Sequence, residues 1–330
     1  MKNIARVLAC IFSVILLTAM AGCEGKSTGQ RHIFGATYMT RNNPYFDVLN
    51  AELEEAVESN GDKLIVRNPL QDQRKQNKQI QDMIDGGMEV LFLNPVDQCE
   101  VKPALEACKK AGVAIINVDT MVADRQYVLG AVETDHYQAG QLCAENMMKH
   151  IESGKIIILN NPGQWSISER VRGFIETIAG KPEYEVIRQE NGEGEIEVAS
   201  KVVSDILGEE QNFDVIFGGN DPMALGALAA LQKAGIEDGV LIYGVDGSPD
   251  FKAMLQEGYV TGTSSQSPET IGRVAAKMAY SYLKGEEVEE YVTIPSTLIT
   301  RENLDEFDIG LDLGFFKNTL NLNIKPFRFD

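Results

Sequence analysis

Positive charge, histidine and tryptophan are all scarce in this chain, and each shortage removes a class of function. Lys and Arg number 30 against 49 Asp and Glu, for a formal net charge of -19, which argues against a nucleic-acid-binding surface and against a basic patch for anionic membranes. The 3 histidines, His32, His136 and His150, form no catalytic constellation. An exported hydrolase with paired carboxylates is therefore a lesser alternative, because plentiful acids first of all make an acidic surface. Beyond Cys10 and Cys23 the thiols are Cys99, Cys108 and Cys143, an odd number without metal-ligand spacing. Cys99 and Cys108 fall on one predicted helix, too far apart along it for a disulfide, and all three are expected to be buried and inert. The uncharged apolar stretch 7–20 is too short to span a bilayer comfortably.

That stretch follows Lys2 and Arg6 and ends Met20-Ala21-Gly22-Cys23. Basic start, short apolar run and small residues make a secretory signal, 1–22. Small residues ahead of a cysteine resemble the bacterial lipobox, although Met20 stands where Leu is usual. Cys23 is accordingly expected to be the lipid attachment site, holding the exported chain to the outer face of the bacterial cytoplasmic membrane, or in the periplasm, with no other membrane contact. The alternative is an ordinary signal peptide with a chance cysteine. The polar stretch 23–30 has the composition of a tether. Gly25-Lys26-Ser27 looks like the end of a phosphate-binding loop, but Met20 stands in place of its first glycine and no strand precedes it.

From His32 onward short apolar runs alternate with amphipathic stretches. The pattern predicts strands at 33–39, 63–66, 90–93, 113–118, 155–159, 215–217 and 241–245, with helices such as 46–59, 73–84, 101–111, 137–151, 169–178, 224–234 and 269–283. Such alternation implies an α/β protein with parallel sheets covered on both faces. The length left after processing exceeds a typical single domain, so two cores are expected. Ligands of open parallel sheets bind beyond the carboxyl ends of the strands. Here those ends are rich in polar groups: Asn42-Asn43-Pro44-Tyr45-Phe46, Val118-Asp119, Asn160-Asn161-Pro162-Gly163-Gln164-Trp165, Asn220-Asp221 and Gly244-Val245-Asp246-Gly247. Taken singly, most such residues are helix caps.

Taken together with Leu93-Asn94-Pro95, Glu169-Arg170-Val171-Arg172-Gly173-Phe174 and Pro222-Met223-Ala224-Leu225-Gly226-Ala227, they resemble the periplasmic sugar-binding proteins related to ribose-binding protein, the family that also supplies the ligand domain of LacI-type repressors. The resemblance implies a type I periplasmic binding fold, in which two similar lobes, each a parallel sheet sandwiched by helices, are joined by three crossover strands. The N-terminal lobe would take 31–134 and 265–294, and the C-terminal lobe 135–264 and 295–310, with an extension at 311–330 too apolar to be simply disordered. It would pack across a lobe or mediate association. Crossovers are expected near 133–135, 263–266 and 295–297.

A sugar offers hydroxyls that donate and accept around a ring with apolar faces. By the resemblance, Asp119 and Asp246 would accept from hydroxyls, Arg170 would donate, and Asn43, Asn220 and Gln266 would do both, while Tyr45 and Phe46 cover one ring face. Gln164 and Ser166 match polar contact positions of glucose/galactose-binding relatives. Thr120 stands where ribose-binding protein has an arginine, and Gly194 where it has a second aromatic, which places ribose itself in doubt. Trp165 is a candidate replacement for that stacking surface; a buried structural tryptophan is the alternative. The implied function is the substrate-binding, non-enzymatic part of an ABC-type uptake system, acting as a monomer with permease transmembrane subunits and without a cofactor. A sensory protein presenting its ligand to a chemoreceptor or sensor kinase is the alternative; a repressor would need a DNA-binding segment where this chain has its signal.

Overall fold

The computed structural model describes residues 31–209 and 212–307. Strands and helices alternate as β1 (Ile33–Thr37), α1 (Tyr45–Ser59), β2 (Lys63–Arg67), α2 (Gln73–Asp85), β3 (Val90–Leu93), α3 (Lys102–Ala111), β4 (Ala114–Val118), β5 (Gly130–Thr134), α4 (His136–His150), β6 (Gly154–Asn160) and α5 (Trp165–Ile178). They continue as β7 (Tyr184–Asn191), α6 (Ile196–Leu207), β8 (Val215–Gly218), α7 (Asp221–Ala234), β9 (Leu241–Asp246), α8 (Pro249–Glu257), β10 (Gly262–Ser265), α9 (Pro268–Leu283), β11 (Tyr291–Ile294) and β12 (Thr297–Thr300).

These elements build two α/β lobes. One six-stranded sheet runs β11-β5-β4-β3-β1-β2 and the other β12-β10-β9-β8-β6-β7. The first is parallel throughout. The second departs from parallel only at β12, which pairs antiparallel with β10. The chain leaves the first sheet after β5, returns after β10 and crosses again between β11 and β12, so the lobes do not coincide with the sequence halves.

Burial on both faces explains the continuous apolar runs. In β3, Val90 and Phe92 pack with Phe34, Leu49 and Ile271 on one side of the sheet. Leu91 and Leu93 pack with Ile80, Leu105 and Cys108 on the other, as the period of two requires. The second lobe has one core gathered around the buried run Ile156 to Leu159. Edge strand β7 is largely exposed, so its polar sequence gave no apolar run to read.

Two glycines set the position of α5. A Cβ at Gly140 on α4 would lie 1.8 Å from the Arg170 carbonyl oxygen, and one at Gly173 on α5 would lie 2.0 Å from the Tyr137 carbonyl oxygen. The two helices therefore touch backbone to backbone, and this contact fixes the height at which Arg170 leaves α5.

One expectation about the thiols is corrected. Helix α3 starts at Lys102, so Cys99 sits ahead of it in an exposed turn where its backbone N–H donates to Asp97 Oδ1 at 2.8 Å. Cys108 and Cys143 are buried, and burial pushes each thiol up to about 12. The signal 1–22, the tether with Cys23 and the extension 311–330 lie outside the described residues. None of the described helices is long and apolar enough to cross a membrane.

Candidate functional site between the lobes

Strand ends from both sheets converge on a cavity of about 230 Å³, below the range of about 300–1,000 Å³ usual for drug-sized ligands. From the first lobe it is lined by Met39, Thr40, Asn42, Asn43, Tyr45, Phe46, Gln71 and Asp119. Gln164, Ser166, Arg170, Asn220 and Asp246 line it from the second lobe, and Gln266 from a crossover.

The two carboxylates are presented differently. Asp119 follows β4 with φ +66°, a left-handed conformation uncommon for a residue with a side chain. Its Oδ2 accepts from Asn94 Nδ2 at 2.8 Å, and Asn94 Oδ1 in turn accepts from the Met39 backbone N–H at 3.0 Å. Asp246 ends β9 with φ +151°. Its Oδ1 accepts from Gln266 Nε2 at 2.7 Å and from Arg170 Nη1 at 3.4 Å, while Oδ2 accepts from Asn43 Nδ2 across the cleft at 3.0 Å. Backbone strain of this kind persists where the surroundings overdetermine it, and it collects at functional sites. Among the described residues, the other side-chain-bearing residues with positive φ are Leu70, Gln71 and Glu193; Gln71 lines the cavity and its Nε2 donates to the Glu193 carbonyl at 3.4 Å.

Arg170, 3% exposed, is locked from behind. Its Nη1 donates to the Gly219 carbonyl at 2.8 Å and its Nε to His136 Nδ1 at 3.2 Å. Because Nδ1 accepts, the proton of the neutral ring sits on Nε2, which donates to the Asp119 carbonyl at 2.7 Å. Burial and the neighbouring guanidinium hold His136 well below the usual histidine range. His136 is thus an uncharged link between the cation and the backbone of the first carboxylate.

The remaining polar groups are part cap, part wall. Asn220 Oδ1 caps α7 by accepting from the Met223 N–H at 3.0 Å, while its Nδ2 donates to the Gly194 carbonyl at 3.1 Å. Asn43 Oδ1 accepts from the Tyr45 N–H at 3.0 Å. Gln266 Oε1 accepts from Thr134 Oγ1 at 3.0 Å. Tyr45 and Phe46 meet edge to face, centroids 5.1 Å apart, and Phe46 stacks on Tyr38. The opposing wall is Gly194, Glu195, Ile196 and Glu197. Direct contacts close the cleft: Gln71 Nε2 donates to Glu195 Oε1 at 2.8 Å, and the Gln98 N–H to the Gly163 carbonyl at 3.0 Å.

Thr120 and Trp165 are not brought to the cavity. Thr120 Oγ1 accepts from the Ser166 N–H at 2.9 Å, so it fastens the lobes instead of offering a donor. Trp165 opens α5 facing away, with the Arg125 guanidinium 4.8 Å from its ring centroid. The ring thus packs on a first-lobe cation, and Trp165 is not among the residues that line the cavity.

A family model described as periplasmic binding protein domain matches residues 34–287. The chain belongs to that family. The matched span includes every cavity-lining residue named above. The ribose import binding protein of Bacillus subtilis (strain 168) is 28% identical over 311 residues, covering 92% of this chain and all of the relative. An ABC transporter solute binding protein from Mycobacterium smegmatis, solved with bound glycerol, superposes with a TM-score of 0.80 at 27% identity, covering 86% of this chain and 98% of its own. The Caulobacter myo-inositol binding protein, solved with myo-inositol, gives a TM-score of 0.78 at 27% identity over 84% of this chain and 96% of its own.

In this periplasmic binding protein the carboxylates outnumber the buried cation. Burial pushes Asp119 up to about 6 despite Arg170. Asp246 is raised by the same cause, against the opposing pull of Arg170, Asn43 and Gln266. Behind it Asp221, held by Thr263 Oγ1 and the Ser248 N–H, each at 2.7 Å, rises to about 7 through burial and the charge of Asp246. Such a site favours a ligand rich in hydrogen-bond donors. Among the described residues no group of three His, Cys, Asp or Glu could hold a metal ion. Sequence reasoning missed Asn94 and His136, which orient the first carboxylate and the cation. Asn94 lies in Leu93-Asn94-Pro95, a motif that by itself assigns it no partner, and His136 carries no pattern of its own. Gln71 and Glu195 gave no signal either.

Proposed function

We propose that this protein is the solute-binding component of an ABC-type uptake system, taking a monosaccharide or related polyol into the cleft by hinge closure. The observation that carries this reading is one cavity in which Asp119, Asp246 and Arg170 meet six side-chain amides beside an aromatic wall. That set suits an apolar-faced ring edged with hydroxyls. The ligands and functions of the relatives support it: ribose import, bound glycerol and bound myo-inositol. No group in the site needs to react with the ligand. Closure would complete contacts from the second lobe, and the closed form would be what the permease transmembrane subunits read. Attachment through lipid at Cys23 to the outer face of the membrane belongs to the same reading. Labelled fatty acid should enter the wild-type protein and not Cys23→Ser.

Trp165 supplies the test of closure, because it is the sole tryptophan and meets Arg125 of the first lobe across the cleft. Titration of the stripped protein with D-ribose, D-allose, D-galactose, myo-inositol and glycerol should change its fluorescence saturably for at least one of them. Micromolar affinity, about -8 kcal/mol, is the expected order. Silence from all five in fluorescence and calorimetry would overturn the polyol reading.

A further inference from the structure

Charge does not balance around the cavity. Asp119 and Asp246 line it with 3% and 7% of their surface exposed, and Asp221, fully buried, stands behind Asp246. Against them, Arg170 is the only buried Lys or Arg among the described residues. His136 adds no charge, since its Nδ1 accepts from Arg170 Nε and burial keeps the ring neutral. The carboxylates are hydrogen-bonded as ionised groups are. Asp246 accepts at both oxygens from side-chain N–H groups, and Asp119 accepts from Asn94 with the Tyr45 phenol beside it. Asp221 accepts from the Ser248 N–H and from the Thr263 hydroxyl, whose oxygen in turn accepts from the Gly247 N–H. Burial pushes Asp119 up to about 6 and Asp221 up to about 7, the direction expected where buried carboxylates outnumber cations.

The walls lean the same way. Thr120, next to Asp119, spends its hydroxyl on the Ser166 N–H and brings no charge. Opposite Tyr45 and Phe46, the wall 194–197 contributes Glu195 and Glu197. Aromatic faces attract cations and carboxylates pair with them, and buried charge is stable when it is paired. We infer that the ligand of this cleft is a polyol bearing an ammonium group, that is, an amino sugar or an aminodeoxy cyclitol. The inference rests on the polyol reading and narrows it. An ammonium in place of one hydroxyl adds a positive charge and gives up an acceptor for further donors, which suits walls whose carboxylates only accept. Arg170 is left to meet the oxygens of the remaining hydroxyls.

Calorimetry of the ligand-stripped protein with matched pairs tests it: D-galactosamine against D-galactose, D-glucosamine against D-glucose, and the aminodeoxy derivatives of myo-inositol against myo-inositol. With the amine protonated, at least one should bind about 10-fold more tightly than its parent, which is about 1.4 kcal/mol. Raising the pH until that amine is neutral should return the ratio of the two affinities to about one. Taking the ratio at each pH removes the protein's own titration, which both compounds share. If parents bind and no amine binds more tightly than its parent, or if the preference persists once the amine is uncharged, the inference is overturned and the polyol reading stands. If no compound of either kind binds, the polyol reading fails and this inference with it.

Discussion

The two lobes offer the cavity walls of different kinds. In the first lobe the Asp119 carboxylate is held from its own side, by Asn94 just after β3 and through it by the Met39 backbone, while only its backbone carbonyl is met from the second lobe, by His136. In the second lobe Asp246 takes one of its bonds from Asn43 across the cleft and another from the crossover residue Gln266. The Ser166 N–H and Glu195 likewise find partners, Thr120 and Gln71, on the far side. The first lobe's carboxylate therefore keeps its hydrogen-bond partners on opening, whereas the second lobe's wall is completed by closure. A ligand meeting the open form should settle on the Tyr45 and Asp119 side, and its affinity should depend on the second lobe arriving.

The largest expected disruption of that contrast comes from Arg170→Met. It removes the second lobe's cation from beside Asp246 and from His136, leaving buried carboxylates without compensation. Truncating one partner of a buried pair costs about 3–5 kcal/mol, so affinity should fall more than about 100-fold in calorimetry. Gly173→Ala acts on the same arginine from behind. The added methyl meets the Tyr137 carbonyl of α4 at 2.0 Å, and the melting transition should record a loss of about 1–3 kcal/mol.

Glu133 sharpens the comparison through pH. It sits on β5 of the first lobe and faces Tyr291, which donates to its Oε1, Arg125, Asp119, and His136 and Trp165 of the second lobe. Its Oε2 and Trp165 Nε1 are both buried without a hydrogen-bond partner. Burial raises this carboxyl from 4.5 to about 8. The folded state then binds more protons than the unfolded one between those values, so stability falls as pH rises through that window. In Glu133→Gln, chemical denaturation across the window should show a flatter slope than in the wild type; an unchanged slope would mean that Glu133 is hydrated in solution. The smallest effect is expected for Gln71→Ala, which removes one bridge at the mouth of the cleft. Stopped-flow release should quicken a few-fold while ligand-free stability stays within about 0.5 kcal/mol.

Asp119, Asp246, Asn43, Asn220 and Arg170 were legible because each follows an apolar run or lies in a motif, and in parallel sheets those places face the cleft. The two lobes were legible for the same reason, since strands buried on both faces write themselves as apolar runs. His136 and Asn94 were not, because a polar residue buried behind a site has no periodicity and is recognised only by what it bonds. For Trp165 the sequence leaves stacking on the ligand and a structural role side by side, and only the fold shows that α5 begins at Trp165 with the ring beside Arg125. Gln71 and Glu195 lie in exposed polar stretches, where only the fold shows that the two lobes meet.

The central claim is that the convergent carboxylates and Arg170 form a closed polyol site. Calorimetry of the ligand-stripped wild type and Arg170→Met with D-ribose, D-allose and myo-inositol tests it most directly. The account predicts saturable one-to-one binding of at least one compound to the wild type, lost in Arg170→Met at unchanged secondary structure. Undiminished binding by the variant, or no heat from any compound with the wild type, would contradict it.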